Sequence, residues 1–183
     1  MNSVVPCLIL LDCQSDQVEG PDGRIDAENA AVISRIGQLL HHARNAGWKV
    51  CHSQYVGDGP KSARSPISSL RPTAKEPVFL RRGLSAFSDP FLHQVLARNT
   101  GGPCLLVGFS APFSILATVF DGASRDQTMT VVADAVGSRP VEPRNVTDTR
   151  RMAFDLIGRI SPLMSWDQLH SDWKVDAGAE PVR

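Results

Sequence analysis

Cys7-Leu8-Ile9-Leu10-Leu11-Asp12-Cys13-Gln14-Ser15-Asp16 is the stretch on which the fold turns. The run Cys7 to Leu11 is apolar without alternation. That is the pattern of a strand buried on both faces, as a parallel sheet in an α/β protein requires. Charge then arrives abruptly at Asp12. In open α/β sheets ligands bind outside the carboxyl ends of the strands. Asp12 therefore stands where chemistry is expected, and the remainder of the chain must supply its neighbours.

Working outward, apolar runs alternate with helical periods. Asp26 to Ala46 reads as a long amphipathic helix with Val32, Ile33, Ile36, Leu39, Leu40 and Ala43 on one stripe. Asp26 is its expected N-cap, with Asn29 as a weak capping-box partner, and Gly47 ends it. Trp48 to Tyr55 is the second expected strand, and Pro77 to Arg81 the third. Between them Gly57 to Glu76 has no period and reads as a long loop, whose Lys61, Arg64 and Arg71 would suit an anion. Asp89 to Ala97 is expected helical, with Pro90 suited to its first turn. Pro103 to Phe109 is the fourth strand, Pro112 to Ser124 a helix, Thr128 to Val136 the fifth strand and Asn145 to Ile160 a late helix. Met164 to Trp166 reads as a short last strand and Asp167 to Ser171 as a final turn, with a poorly ordered tail from Val175 to Arg183. The alternation predicts an α/β, three-layer α-β-α, Rossmann-like domain with a six-stranded, mostly parallel sheet spanning residues 1–183.

Composition narrows the partners. The chain has 183 residues, enough for one domain that buries a real core. Basic and acidic residues balance at 19 each, which leaves no electrostatic footprint for nucleic acid or an anionic lipid surface. No apolar stretch approaches the roughly 18 residues of a membrane span. Met1 to Pro6 lacks the pattern of a signal peptide. Cys7, Cys13, Cys51 and Cys104 form no CxxC pair, and the expectation is reduced, buried thiols in a cytoplasmic protein. No Cys/His cluster has zinc-ligand spacing.

Three polar side chains fall at strand ends. Asp12 ends the first strand, Arg81 ends the third, and Ser114 opens the helix after the fourth. With the first strand central, these ends meet at the switch point of a doubly wound sheet. A first helical turn also presents free N–H groups and a dipole that favours negative charge. Each residue has a plainer reading as well: a turn aspartate, an ion-paired arginine, a capping serine.

The motifs at these positions resemble the isochorismatase-like hydrolase superfamily, also called cysteine hydrolases. Asp12-Cys13-Gln14-Ser15-Asp16 resembles the family's D-x-Q-x-D. Arg81-Arg82-Gly83-Leu84-Ser85-Ala86-Phe87 resembles K-x-x-x-S-A-F. Gly108 to Thr118, followed by Asp121 and Ala123, resembles G-x-x-T-D-x-C-V-x-x-T-A-x-D-A, and Ala133-Asp134-Ala135 resembles the acidic end of its fifth strand. The resemblance spans roughly residues 6 to 172 and implies a catalytic Asp12, Arg81 and Ser114. It also implies a site shaped by Gln14, Tyr55, Phe87, Ser110 and Ala111. A cis peptide is expected at Ser110–Ala111, aiming the N–H groups of Ala111 and Ser114 at an oxyanion. His52 reads as a satisfied structural histidine. The nicotinamidase metal pattern is absent, so neither metal nor other cofactor is expected. Family members form dimers to octamers, so a homo-oligomer (dimer or tetramer) is expected.

Two family residues are changed. Arg81 falls on the lysine position and Ser114 on the cysteine position. A serine hydroxyl is far harder to ionise than a thiol. A guanidinium is neither acid nor base and would lower the pKa of Asp12. One reading is a hydrolase of a small molecule (an amide, a urea-type C–N bond or a vinyl ether), which in the last case acts without covalent catalysis while Arg81 and the helix terminus bind an anionic substrate. The others are a degenerate member that binds a ligand or partner without turnover, or a chain whose cysteine was exchanged for serine.

Overall fold

The computed structural model describes residues 5–20, 22–57, 65–97 and 102–177, with residue 97 and residues 172–177 described by backbone alone. In chain order the elements are β1 (Cys7–Leu11), α1 (Ala27–Asn45), β2 (Lys49–Tyr55), β3 (Val78–Arg81), α2 (Pro90–Ala97) and β4 (Cys104–Gly108). A π-helical turn (Ala111–Ile115) runs into α3 (Leu116–Ala123), followed by β5 (Thr130–Val136), α4 (Val146–Ile157), β6 (Leu163–Met164) and α5 (Trp166–Ala177). The strands make one six-stranded sheet in the order β3-β2-β1-β4-β5-β6, and every pairing is parallel.

β1 is central and buried along its whole length, as its unbroken apolar run requires. Its side chains alternate between two layers. Leu8 and Leu10 pack with Ile36, Leu39 and Leu40 of α1 and with Trp166 and Leu169 of α5. Cys7, Ile9 and Leu11 pack with Leu92 of α2, Val119 of α3 and Ile157 of α4. Each leucine fully buried in this way contributes about 1.5–3 kcal/mol. α1 starts and stops where its sequence says. The Asp26 carboxylate accepts from the Asn29 N–H at 2.9 Å, and Gly47 follows the last turn with φ of 69°. No described helix is long and apolar enough to cross a membrane.

Several elements differ from expectation. The helix read as beginning at Pro112 is first a π-helical turn, and α3 begins only at Leu116. Trp166 does not end the last strand but opens α5, which continues through the expected final turn and takes in Val175 to Ala177; residues 178–183 of the expected tail lie outside the described residues. A capping box starts this helix, since Gln168 N–H donates to Ser165 Oγ and Ser165 N–H donates back to Gln168 Oε1. Of the long segment after β2, residues 58–64, including Lys61 and Arg64, lie outside the described residues. The remainder is anchored. Ile67 N–H donates to Cys13 O at 3.0 Å, and Leu70 is fully buried beside α1. Glu76 accepts from Arg44 (2.8 Å), from the Thr73 N–H (3.0 Å) and from His52 (3.0 Å).

β1 and β4 meet unusually closely at their carboxyl ends. The Phe109 N–H donates to Leu11 O at 2.8 Å, and a Cβ built on Gly108 would lie 2.0 Å from that same oxygen. Gly108 also has φ of 120°, outside the range of side-chain-bearing residues. Gly108→Ala is therefore expected to cost more than about 3 kcal/mol in urea unfolding, through strain and overpacking together. Gly37→Ala in the middle of α1, whose new Cβ meets only Leu70 at 3.9 Å, is expected to stabilise by about 0.5–1 kcal/mol.

Candidate active site

The parallel register of β1, β2 and β3 assembles the site. Leu11 lies opposite Ser53, and Tyr55 opposite Arg81. The chain leaves β1 at Asp12 in a left-handed conformation, φ 49°, which aspartate tolerates better than most residues. Asp12 Oδ1 accepts from the Tyr55 N–H at 2.9 Å, and Oδ2 accepts from Arg81 Nη2 at 2.5 Å. The Ser114 hydroxyl, on the π-helical turn, lies close enough to the same carboxylate to pull its pKa down. Asp12 is 1% exposed, the Arg81 side chain 0% and Ser114 6%.

Arg81 is held on every edge of its guanidinium. Nε donates to Ser53 Oγ at 3.1 Å, Nη1 to Gly83 O at 2.5 Å and Nη2 to Asp12, while the Tyr55 ring centroid lies 5.9 Å from its central carbon. This is the forked, planar donor set that only arginine offers. Sequence reading missed Ser53 and the Gly83 carbonyl. The available signal was a polar residue inside an otherwise core-facing strand. Arg81, expected to bind a substrate anion, is here paired with Asp12 and sealed from solvent.

The electrostatics of Asp12 also reverse the expectation. Burial pushes its carboxyl above the ordinary value and outweighs the Arg81 charge, the Ser114 hydroxyl and the Tyr55 N–H, all of which pull it down. The physical reason is that desolvating an ion costs several kcal/mol, which a single partner does not fully offset.

The flanking residues divide. Gln14 uses both ends of its amide on the Tyr55 backbone, accepting from N–H at 3.0 Å and donating to C=O at 3.1 Å, so it extends β1 pairing and positions Tyr55. Phe87 is buried beneath the Arg125 guanidinium, 5.4 Å away, as part of the core around α3. Ser110 is buried with a hydroxyl that has no partner among the described residues. The non-proline cis peptide lies at Phe109–Ser110, one residue earlier than expected, and the Ala111 N–H donates to Gly137 O at 2.9 Å, so it is not available to an oxyanion. Asp134, in the motif near the end of the fifth strand, accepts from the Trp166 N–H at 2.9 Å and pairs with Arg35 at 3.0 Å, tying α5 to the sheet. His52 is satisfied by Glu76, and burial lowers its pKa against that carboxylate. Among the described residues no three His, Cys, Asp or Glu side chains are placed to hold a metal ion.

The arrangement is thus a buried carboxyl lifted in pKa, a guanidinium that cannot exchange protons and a hydroxyl. It can donate a proton and orient a polar group. Arg81→Met is expected to cost about 3–5 kcal/mol in urea unfolding at neutral pH by leaving Asp12 buried and unpaired, and Asp12→Asn added to it is expected to recover most of that loss. A cost under about 1 kcal/mol, the size of a surface pair, would show that the pair is not desolvated.

Residues 6–168 match the family model for the isochorismatase domain. A curated relative, the secreted isochorismatase effector Isc1 of Verticillium dahliae, is 27% identical over 143 residues, covering 73% of each chain. An isochorismatase from Pseudomonas putida shares the fold at a TM-score of 0.78 with 22% identity, covering 87% of both chains. The MAR1 ribonuclease of Caenorhabditis elegans shares it at a TM-score of 0.75 with 19% identity, covering 99% of this chain and 86% of its own. The family match takes in all three strand-end motifs and the sheet that carries them: the chain belongs to the isochorismatase family.

Proposed function

We propose that this protein hydrolyses a small molecule without a covalent intermediate, with Asp12 as the proton donor. The observation that carries this reading is the Asp12 carboxyl itself, buried, raised in pKa and clamped by a cation that cannot shuttle protons. On a vinyl ether, Asp12 would give its proton to the terminal vinyl carbon. Water would add to the resulting oxocarbenium carbon, and the hemiketal would break to an alcohol and a ketone, with one proton returning to Asp12. Ser114 would hold the carboxyl and the incoming water. Ser110, with its unpartnered hydroxyl, would contact substrate. Amide or urea cleavage through Ser114 is the weaker reading, because a serine nucleophile needs a stronger base beside it than a carboxylate.

A second reading, ligand binding without turnover, draws support from the near-complete burial of Asp12 and Arg81. A cytoplasmic setting fits four free, buried cysteines. Self-association fits the exposed apolar side chains of edge strand β3 and α2, Leu80 at 58% and Phe91 at 64% exposure.

The test is turnover of isochorismate, a vinyl ether, beside a panel of amides, by wild type, Asp12→Asn and Ser114→Ala. Asp12→Asn is expected to lower kcat by about 10²–10⁴-fold. Ser114→Ala is expected to keep most of it. The wild-type rate should fall as pH rises through the Asp12 pKa, because the acid form is consumed. Ser114→Ala removes a hydrogen bond that stabilises the carboxylate, so this falling limb should move to higher pH. Loss of activity in Ser114→Ala as severe as in Asp12→Asn would instead indicate covalent catalysis. Isochorismate bound but left intact by wild type would favour the second reading.

A further inference from the structure

The candidate active site occupies the carboxyl edge of the sheet; the amino edge carries three of the four cysteines. Cys7 on β1 lies opposite Cys104 on β4, and Cys51 on β2 lies opposite Ile9. Residues two apart in a strand share a face, so all three thiols project to one side, where they pack in the core with Leu92 of α2 and Val119 of α3. Cys7 is the middle one of the three. Its thiol lies close enough to those of Cys51 and Cys104 for both to raise its pKa.

A cavity of about 480 Å³ opens at this edge, between the start of β2, the turn before β3 and α2. Cys51 lines it, and so does Val95 of α2, so the cavity reaches the face of the sheet that carries the thiols. Its charged lining is mostly positive, with Arg44, Lys49 and Lys75 against one carboxylate, Glu76. Glu76 is spent on Arg44 at 2.8 Å and on His52 at 3.0 Å, while Lys49 and Lys75 stand exposed at the cavity. An electropositive setting of this kind favours a thiolate. The Cys7 thiol beside it pulls the Cys51 pKa below the ordinary thiol value, against burial, and the Lys49 charge adds to that pull. Exposure alone favours Cys104, at 9% against 2%, so charge and cavity, rather than openness, single out Cys51.

We infer that Cys51 is a modification site for a small anionic disulfide, which the cations of the cavity hold beside the thiol. The Cys51 thiolate attacks one sulfur of that disulfide. The S–S bond of the disulfide breaks, and a new S–S bond joins Cys51 to one half. The other half leaves as a thiolate and takes up a proton from water, replacing the one that Cys51 gave up. Cys51 is oxidised and the departing half is reduced. The site lies at the opposite edge of the sheet from Asp12 and stands apart from the hydrolase reading.

Incubation of the full chain with oxidised glutathione, and separately with cystamine, a disulfide that carries two ammonium groups, tests the inference by intact mass and peptide mapping. Oxidised glutathione is expected to add one group per chain, at Cys51. At low salt it should react at least about tenfold faster than cystamine, each rate taken relative to that with free cysteine, because a positive cleft concentrates an anionic partner. High salt should shrink this preference by screening the exposed charges. Lys75→Glu should narrow it too, slowing glutathione and speeding cystamine. Cys51→Ala should take no label, with far-UV circular dichroism to check that it is folded; should it not fold, mapping of the wild-type label still decides the site. A wild-type chain that takes no label, a label on Cys104 or spread over all four cysteines, or cystamine reacting as fast as glutathione overturns the inference.

Discussion

The Asp12–Arg81 contact, 2.5 Å long and shut off from solvent, is the interaction on which the candidate site depends. Neither charge would be tolerated at that depth alone. The carboxylate is met by the guanidinium and the Tyr55 N–H, and the nearby Ser114 hydroxyl favours its ionised form. The guanidinium is met in turn by Ser53 and Gly83. Four segments of chain, at the ends of β1, β2 and β3 and in the turn after β4, are tied through this one pair. The tie depends on the close approach of β1 and β4, which only Gly108 allows.

The chemical character of the site follows from which of its groups can move a proton. A lysine in place of Arg81 could exchange protons; a guanidinium stays charged throughout. Arg81 therefore acts as a fixed electrostatic counterweight to the burial of Asp12. Burial wins that contest, and the carboxyl is lifted. A lifted carboxyl keeps its proton longer than an ordinary aspartate and is suited to general-acid work. The same burial makes it a stronger base when ionised, yet still one far too weak to strip a serine hydroxyl.

Much of this was legible in the sequence because burial on both faces leaves a strong mark. The unbroken run Cys7–Leu11 marked a central parallel strand, and polar residues at strand ends marked the site. What was not legible depends on register and on competition between energies. That Ser53 would meet Arg81 follows from how β2 and β3 align, which no local pattern encodes. The net direction for Asp12 is a balance between desolvation and an ion pair, and the sequence displays only the ion-pair partner. A polar side chain at a strand end can face a ligand or mimic the backbone, and the pairing of the Gln14 amide with the Tyr55 backbone depends on how β1 and β2 align. α5 was legible after all. The Ser165-x-x-Gln168 box and the Trp166, Leu169 spacing announce a helix where only a turn was read.

The central claim is that burial, rather than Arg81, decides the protonation of Asp12. Carbon-13 NMR titration of the aspartate side-chain carboxyl signals, with Asp12 assigned by its absence in Asp12→Asn, measures this directly. The account predicts an apparent pKa above the ordinary aspartate value of about 3.9. A value below it would mean that the guanidinium dominates, that the carboxyl is a fixed anion, and that Asp12 is not the proton donor.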